Sequence, residues 1–276
     1  MKQPAGTLLV TIVQSSLHWE NPAANLKMLE EKIRAVTGKM EVVVLPEMFN
    51  TGFTMNAGPL AEKMDGVTVE WMRRLSTSLR IILTGSIIIK EEEKYFNRLI
   101  WMLPGGEYGF YDKRHLFGYA QEDHYFQAGS KRLITAVKGW KLNMQICYDL
   151  RFPVWARQTM PLKGVPDLEE IAPEYDVLVY VANWPEKRRH AWITLLQARA
   201  IENQCYVVAV NRTGYDGNTI YYSGDSMIVD PLGTILYSAE NREELFTVAL
   251  PTNKLSETRN NLPFLKDGDP FLIGNQ

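Results

Sequence analysis

Three side chains in this 276-residue sequence have types suited to joint chemistry: Glu47 behind "EVVVLP", Lys113 closing "YGFYDK" and Cys147 closing "KLNMQIC". A thiol attacks as its thiolate, yet free cysteine is mostly protonated at neutral pH. A neighbouring carboxylate can take that proton and return it to a leaving amine. A lysine ammonium beside the attacked carbon would stabilise the oxyanion formed there. The backbone N–H of Tyr148, next after the thiol, would supply a second donor. Each residue also has a plainer reading: a packed strand-end thiol, a solvated glutamate after a proline, and a charged turn in "DKRH". Residue type and spacing leave both readings open.

The elements that must position these groups follow from hydrophobic periodicity. "TLLVTIVQ" reads as a buried first strand. Asn21 is placed to cap a helix with Pro22 at its first position, and Leu26, Leu29, Ile33 and Val36 give that helix one apolar face up to Gly38. "EVVVLPE" is a buried strand stopped at Pro46, with Glu47 just beyond its end. A helix near Val67 to Leu79 leads into the strand "IILTGSIII", and "FNRLIWML" and "EYGFYDKRHLF" form a hairpin around Gly105 and Gly106. In the second half, "RLITAV" and "KLNMQIC" flank a Lys138-Gly139 turn, with a helix expected from about Phe152, so that "YDLRFP" places the Cys147 thiol at the entry to a helix whose N-terminal field favours a thiolate. "YDVLVYVANW", "YVVAVNR", "SMIVDPLGTIL" and "EELFTVAL" supply further strands, and "HAWITLLQARAIENQ" a helix. Strands and helices alternate with no linker between them, which implies one α/β domain with a sheet core and outer helices over residues 1–250. The polar stretch 251–276 reads as a tail packing on that domain or on a partner subunit.

Composition narrows the partners. The chain is 46% hydrophobic and 22% charged with a net charge of −2, and so lacks the basic footprint of a nucleic-acid binder. The basic cluster "EKRRH" is short, and the mixed run Lys90 to Lys94 reads as a solvated hairpin tip. No export signal or membrane span is legible. Two cysteines and four histidines, without metal-ligand spacing, point to a reduced, cytoplasmic protein that needs no metal or other cofactor. Cys205, at the start of a buried strand with no acid or amine motif around it, is expected to be a packing residue.

The segments "LPEMFNTGF", "YDKRHLF" and "ICYDLRFP", around Glu47, Lys113 and Cys147, resemble the three signature segments of the nitrilase superfamily of carbon–nitrogen hydrolases, in the family's order. "VANWP", "LLQARAIENQCYVVAVNRTG" and "SGDSMIVDPLGTIL" extend the resemblance to about Leu250. It implies an α/β fold, a four-layer αββα sandwich, usually assembled as a dimer or higher homo-oligomer. It assigns Glu47 as general base, Lys113 as oxyanion stabiliser and Cys147 as nucleophile. Glu122 in "GYAQEDHYFQAG" is its counterpart to the family's second glutamate, although Asp123 stands beside it.

Nitrilases proper usually carry Trp-Glu after the cysteine, whereas this chain has Tyr148-Asp149, which resembles the amidase side and bacterial omega-amidases most closely. The expected substrate is a small amide, the terminal amide of a short dicarboxylic monoamide such as 2-oxoglutaramate or succinamate. A deaminated-glutathione amidase, an N-carbamoyl amidohydrolase and a non-catalytic nitrilase-like binding module are the alternatives, the last disfavoured by an intact Glu47, Lys113 and Cys147. The substrate's far carboxylate asks for a cation. Arg151 is the candidate, with an ion pair to Asp149 or Glu47 as its other reading, and Arg188 and Arg189 follow "NWP". Among the loop aromatics Phe53, Phe117, Tyr119, Tyr125 and Trp184, Phe117 and Trp184 are expected to form pocket walls. His115 and His124 are expected to support the site or lie at the surface.

Overall fold

The run Val42, Val43, Val44 and Leu45 sends alternate side chains to two different cores. In the computed structural model, which describes residues 6–158, 173–269, 271 and 273–274, Val42 and Val44 join one buried cluster while Val43 and Leu45 join another. That two-residue period is what a strand buried on both faces produces.

The same pattern builds two sheets. Strands β1 (Leu8–Gln14), β2 (Val42–Val44), β3 (Ile82–Glu91), β4 (Lys94–Met102) and β5 (Tyr108–Asp112) belong to the first. Strands β6 (Leu133–Val137), β7 (Trp140–Ile146), β8 (Val177–Ala182), β9 (Tyr206–Asn211), β10 (Thr213–Tyr215), β11 (Tyr221–Val229) and β12 (Ile235–Glu240) form the second. The last strand, β13 (Glu244–Leu250), returns to pair antiparallel with β1. The orders are β13-β1-β2-β3-β4-β5 and β10-β11-β9-β8-β7-β6, with β12 on β11. Both sheets are parallel at their centres, through β1, β2 and β3 and through β7, β8 and β9.

The sheets face each other over a core that joins Val10, Ile12 and Trp101 of the first to Leu142, Met144 and Val179 of the second. On the outside of the first sheet, Leu26, Leu29 and Ile33 of α1 (Pro22–Arg34), and Val69, Met72 and Leu75, close the second core. The short α2 (Ala57–Leu60) precedes α3 (Val67–Leu79), which carries the latter three. The one-turn helices α4 (Glu122–Tyr125) and α5 (Pro153–Ala156) follow. Over the second sheet, α6 (Arg189–Asn203) lays down Trp192, Leu196 and Ala200. The result is the expected four-layer αββα sandwich.

Two boundaries differ from the sequence reading. Helix α1 ends at Arg34, with Ala35 as its C-cap, short of Gly38; the β-branched Val36 and Thr37 are poor continuations of a helix. The helix expected from about Phe152 is only the single turn α5 among the described residues, and residues 159–172 lie outside them. The Lys138-Gly139 turn does join β6 to β7, with φ of 52° and 83°, the paired positive values of a tight hairpin turn. After β13, α7 (Thr252–Asn261) buries Leu255 and Thr258, and Arg259 pairs with Asp176 at 2.7 Å. Among the described residues, no helix is long and apolar enough to cross a membrane.

One glycine links this packing to the first candidate residue. A Cβ on Gly85 of β3 would lie 2.8 Å from both Leu45 Cβ and Phe49 Cδ1, which flank Glu47 on either side. Gly85→Ala is therefore expected to destabilise the fold by about 1–3 kcal/mol through overpacking and to lower any activity that depends on Glu47. Urea denaturation beside an activity assay checks this, and an unchanged midpoint would refute the close packing.

Candidate active site

Parallel strands end at a common edge, and the candidate residues stand there. Cys147 follows β7, Asn183 follows β8, and Asn211 closes β9, while Glu47 lies just past β2 of the facing sheet. Carboxyl ends of parallel strands are where α/β folds hold ligands. Lys113 lies directly beyond β5, and its backbone N–H bonds to Asn97 O of β4 at 3.0 Å.

The Lys113 ammonium is fully buried and lies between two carboxylates. Its Nζ lies 2.8 Å from Glu47 Oε1 and 3.0 and 2.9 Å from the two oxygens of Glu122. Asn97 bridges the same pair, donating to Glu47 Oε1 at 2.9 Å and to Glu122 Oε1 at 3.2 Å. Glu122 also accepts from the Phe117 backbone N–H at 2.6 Å. The neighbouring Asp123 is exposed. Of the two acids in that segment, it is Glu122 that meets Lys113. The other Glu47 oxygen accepts from the Asn183 backbone N–H at 2.8 Å, and the Glu47 carbonyl accepts from Asn183 Nδ2 at 2.6 Å. Both oxygens of Glu47 are thus aimed by neighbours.

Electrostatics sets the protonation states. Burial works against the Lys113 charge, but Glu122 and Glu47 outweigh it and hold the amine above its ordinary range. Burial, opposed by Lys113 and aided by Glu47, raises the Glu122 carboxyl. Burial and then the Glu47 charge push the Cys147 thiol well up, against the pull of Lys113. Cys147 accordingly stays a thiol at neutral pH until a base takes its proton.

Cys147 opens a five-residue 3₁₀ turn (Cys147–Arg151) with its own φ at 43°, a left-handed backbone uncommon for a residue with a side chain. The sequence places this thiol at the start of a helix whose field would favour a thiolate; the structure corrects that. The turn is too short to sum a helix field, and the thiol shifts the other way. The strained turn is held by Asp149, whose carboxylate accepts from Tyr111 Oη at 2.7 Å, from the Ile146 N–H at 3.0 Å and from the His115 N–H at 3.0 Å. His115 Nδ1 lies 2.8 Å from the same carboxylate, and its ring stacks on Phe152. One buried acid thereby fixes residues on either side of Lys113 and the residue preceding Cys147. The Cys147 Sγ lies 3.9 Å from Asn183 O.

These groups open into a cleft of about 800 Å³ lined by Lys113, Cys147, Tyr148, Asn183, Trp184 and Phe117, among others. Phe53 and Tyr119 also line it, whereas Tyr125 and His124 are exposed outside it. The lysine ammonium stands 5.2 Å from the Phe53 ring centre. Arg151 lines the cleft too, exposed, with its guanidinium carbon 4.9 Å from the Trp184 ring centre. It pairs with neither Asp149 nor Glu47, whose oxygens are already engaged. Arg189 points away to Asp225 and Glu240, while Arg188 lines the cleft. Cys205 is fully buried, with its thiol also raised by burial and no carboxylate bonded to it. Sequence reasoning gave no role to Asn97, Asn183 or Tyr111, and it offered Asp149 only as an ion-pair partner for Arg151, not as the group that holds the turn. For Asn97 a signal was present, since an asparagine in an otherwise apolar strand core needs a partner there.

Comparison with known proteins identifies the family. The carbon-nitrogen hydrolase family matches residues 9–260. The protein named omega-amidase YafV from Escherichia coli (strain K12) is 39% identical over 96% of this chain and 98% of its own length. The 2-oxoglutaramate amidase of Bacillus subtilis (strain 168) is 30% identical over 94% and 96%. Among solved structures, XC1258 from Xanthomonas campestris, a CN-hydrolase superfamily protein with an arsenic adduct in its active site, superposes with a TM-score of 0.92 at 42% identity, covering 97% of this chain and 99% of that one. With the fold and these full-length likenesses in agreement, the chain belongs to the carbon–nitrogen hydrolase family of the nitrilase superfamily.

Proposed function

We propose that the protein is an omega-amidase, hydrolysing the terminal amide of a short dicarboxylic monoamide to the acid and ammonia. The observation that carries the reading is the buried Glu47–Lys113–Glu122 array standing within electrostatic reach of the Cys147 thiol, with Lys113 and Cys147 lining one cleft. A binding module needs no such array. The names of the similar omega-amidase and 2-oxoglutaramate amidase support the choice of substrate.

In the proposed reaction, Glu47 takes the Cys147 proton as Sγ attacks the amide carbon. The lysine ammonium and the Tyr148 N–H stabilise the oxyanion. The C–N bond then breaks, with Glu47 delivering its proton to the departing ammonia. Glu47 next deprotonates a water, which attacks the thioester; the C–S bond breaks and the thiol regains its proton. Glu122 and Asn97 hold Lys113 and Glu47 in place. The size of the cleft, about 800 Å³, exceeds what a five-carbon amide fills, which favours a second reading with a larger acyl group such as deaminated glutathione.

Cys147→Ala should abolish ammonia release from 2-oxoglutaramate and succinamate while leaving the thermal midpoint unchanged, and Cys205→Ala should retain activity. Full activity in Cys147→Ala would refute the nucleophile. An ammonia assay over 2-oxoglutaramate, succinamate, deaminated glutathione, an N-carbamoyl amino acid and a simple nitrile should show the fastest rates on the first two. Fastest hydrolysis of the nitrile, or carbon dioxide among the products, would overturn the assignment.

Glu122→Gln keeps a hydrogen-bond acceptor but removes one of the two charges facing Lys113. It should cut kcat by about a hundredfold or more, with KM within a few-fold. A comparable rise in KM alone would contradict a role through Lys113.

The pH profile follows from the shifts. Because Lys113 is held above its ordinary value, its charge is retained as pH rises past neutrality. kcat/KM should stay flat between about pH 7 and 9. A descending limb centred in that window would show that a group other than Lys113 and Cys147, as placed here, controls the rate.

A further inference from the structure

The cleft wall carries charges of both signs, but they are not equally engaged. Glu20 accepts from Thr54 Oγ1 at 2.5 Å and from Asn56 Nδ2 at 3.2 Å. Asp216 accepts from the backbone N–H groups of Asn218 and Ile220 at 2.8 and 2.9 Å and from Tyr222 Oη at 3.0 Å. At the rim, Glu186 and Lys187 are neighbours of opposite sign, both exposed. Arg189 is paired with Asp225 and Glu240, each at 2.8 Å. Arg188, one residue earlier, pairs with no carboxylate among the described residues.

Arg188 is nevertheless fixed in place. Its guanidinium carbon lies 5.2 Å from the Phe117 ring centre and 6.0 Å from that of Tyr119. Its backbone carbonyl accepts from Trp184 Nε1 at 2.8 Å. The tryptophan is pinned in turn by Asn211, which accepts from the Trp184 N–H at 2.8 Å and donates to the Trp184 carbonyl at 2.9 Å. Phe117 meets the Tyr148 ring edge-on at 4.9 Å, so the guanidinium stands one ring beyond the residue that follows Cys147.

A half-buried guanidinium held by ring faces keeps its planar fork of donors for a ligand, and the ligand that fits a fork is a carboxylate. We propose that Arg188 is the anchor for the far carboxylate of the amide substrate, with the more exposed Arg151, over Trp184, as a weaker outer cation. This rests on the amide-hydrolase reading and deepens it: the preferred substrates are monoamides of dicarboxylic acids, chosen for the carboxylate and not merely for chain length.

The test compares succinamate with 4-oxopentanamide, a neutral near-isostere in which a methyl ketone replaces the carboxylate. Arg188→Gln should lower kcat/KM for succinamate by about a hundredfold, mostly through KM, as expected for one lost charge-assisted contact. The same change should alter 4-oxopentanamide hydrolysis by less than about threefold. Arg188→Lys should recover part of the loss, and Arg151→Gln should lose less than Arg188→Gln. Equal losses on both amides, or no loss on succinamate, would overturn the anchor. Calorimetric binding of succinamate to Cys147→Ala, with and without Arg188→Gln, decides the same point without turnover. Weaker binding in the double variant supports the anchor, and unchanged binding overturns it. Absence of ammonia from both amides with the wild-type protein would refute the amidase reading separately, because the binding arm still reports on Arg188.

Discussion

An ammonium fully buried in the protein interior is the constraint on which this structure turns. Moving such a charge out of water costs several kcal/mol even after relaxation, and it persists only with close, well-aligned partners. Lys113 has two, Glu47 and Glu122, and Asn97 tethers both. The partners come from a loop after β2, from strand β4 and from the short helix α4, so the lysine can be accommodated only when these segments have assembled. Removing a single partner would leave the remaining charges uncompensated, which makes the array cooperative.

Burial and charge together also decide how a nucleophile could arise. Burial first, and then the Glu47 charge against the pull of Lys113, drives the Cys147 thiol towards its neutral form. A stored thiolate, of the kind an imidazolium neighbour or a long helix would sustain, has no support here. In the proposed reaction the proton therefore leaves during attack, and Glu47 is the carboxylate assigned to receive it. Its oxygens are oriented by Lys113 and Asn97 on one side and by Asn183 on the other. The strain in the Cys147 backbone is borne by Asp149, which ties the same turn to the Lys113 segment through His115 and Tyr111. Cys147 and Lys113 are thereby held to one reference point, although they follow strands of different sheets.

Much of the fold was legible because buried strands announce themselves as short apolar runs. "VVV", "LVYVA" and "YVVAVN" became β2, β8 and β9 with little adjustment. Glu47, Lys113 and Cys147 were legible as chemical types, but only whole-motif resemblance joined them and added Glu122. Their partners were not legible, for a physical reason. Asn97 and Asn183 act through contacts spanning 50 and 136 residues of sequence, and no local period encodes such pairs. The turn after Cys147 differs from the sequence reading for another reason: Phe152 precedes Pro153, and a residue before proline is steered away from the helical backbone, so the 3₁₀ turn stops at Arg151 before α5 begins.

The adjacent pair Arg188 and Arg189 shows how far residue type falls short of role. The two have the same charge and the same flexible reach, and sequence alone offers no ground for separating them. The start of α6 separates them. Arg189 is its first residue and turns towards β11, where Asp225 stands at a left-handed position (φ 58°) and presents its carboxylate. Arg188, in the preceding 3₁₀ turn, is carried to the cleft, where the rings of Phe117 and Tyr119 meet it. A rotation of one residue at a helix start thus converts one arginine into a structural ion pair and leaves its neighbour facing the cleft. Under the proposed anchor, specificity depends on where a helix begins as much as on which side chains the strand ends carry.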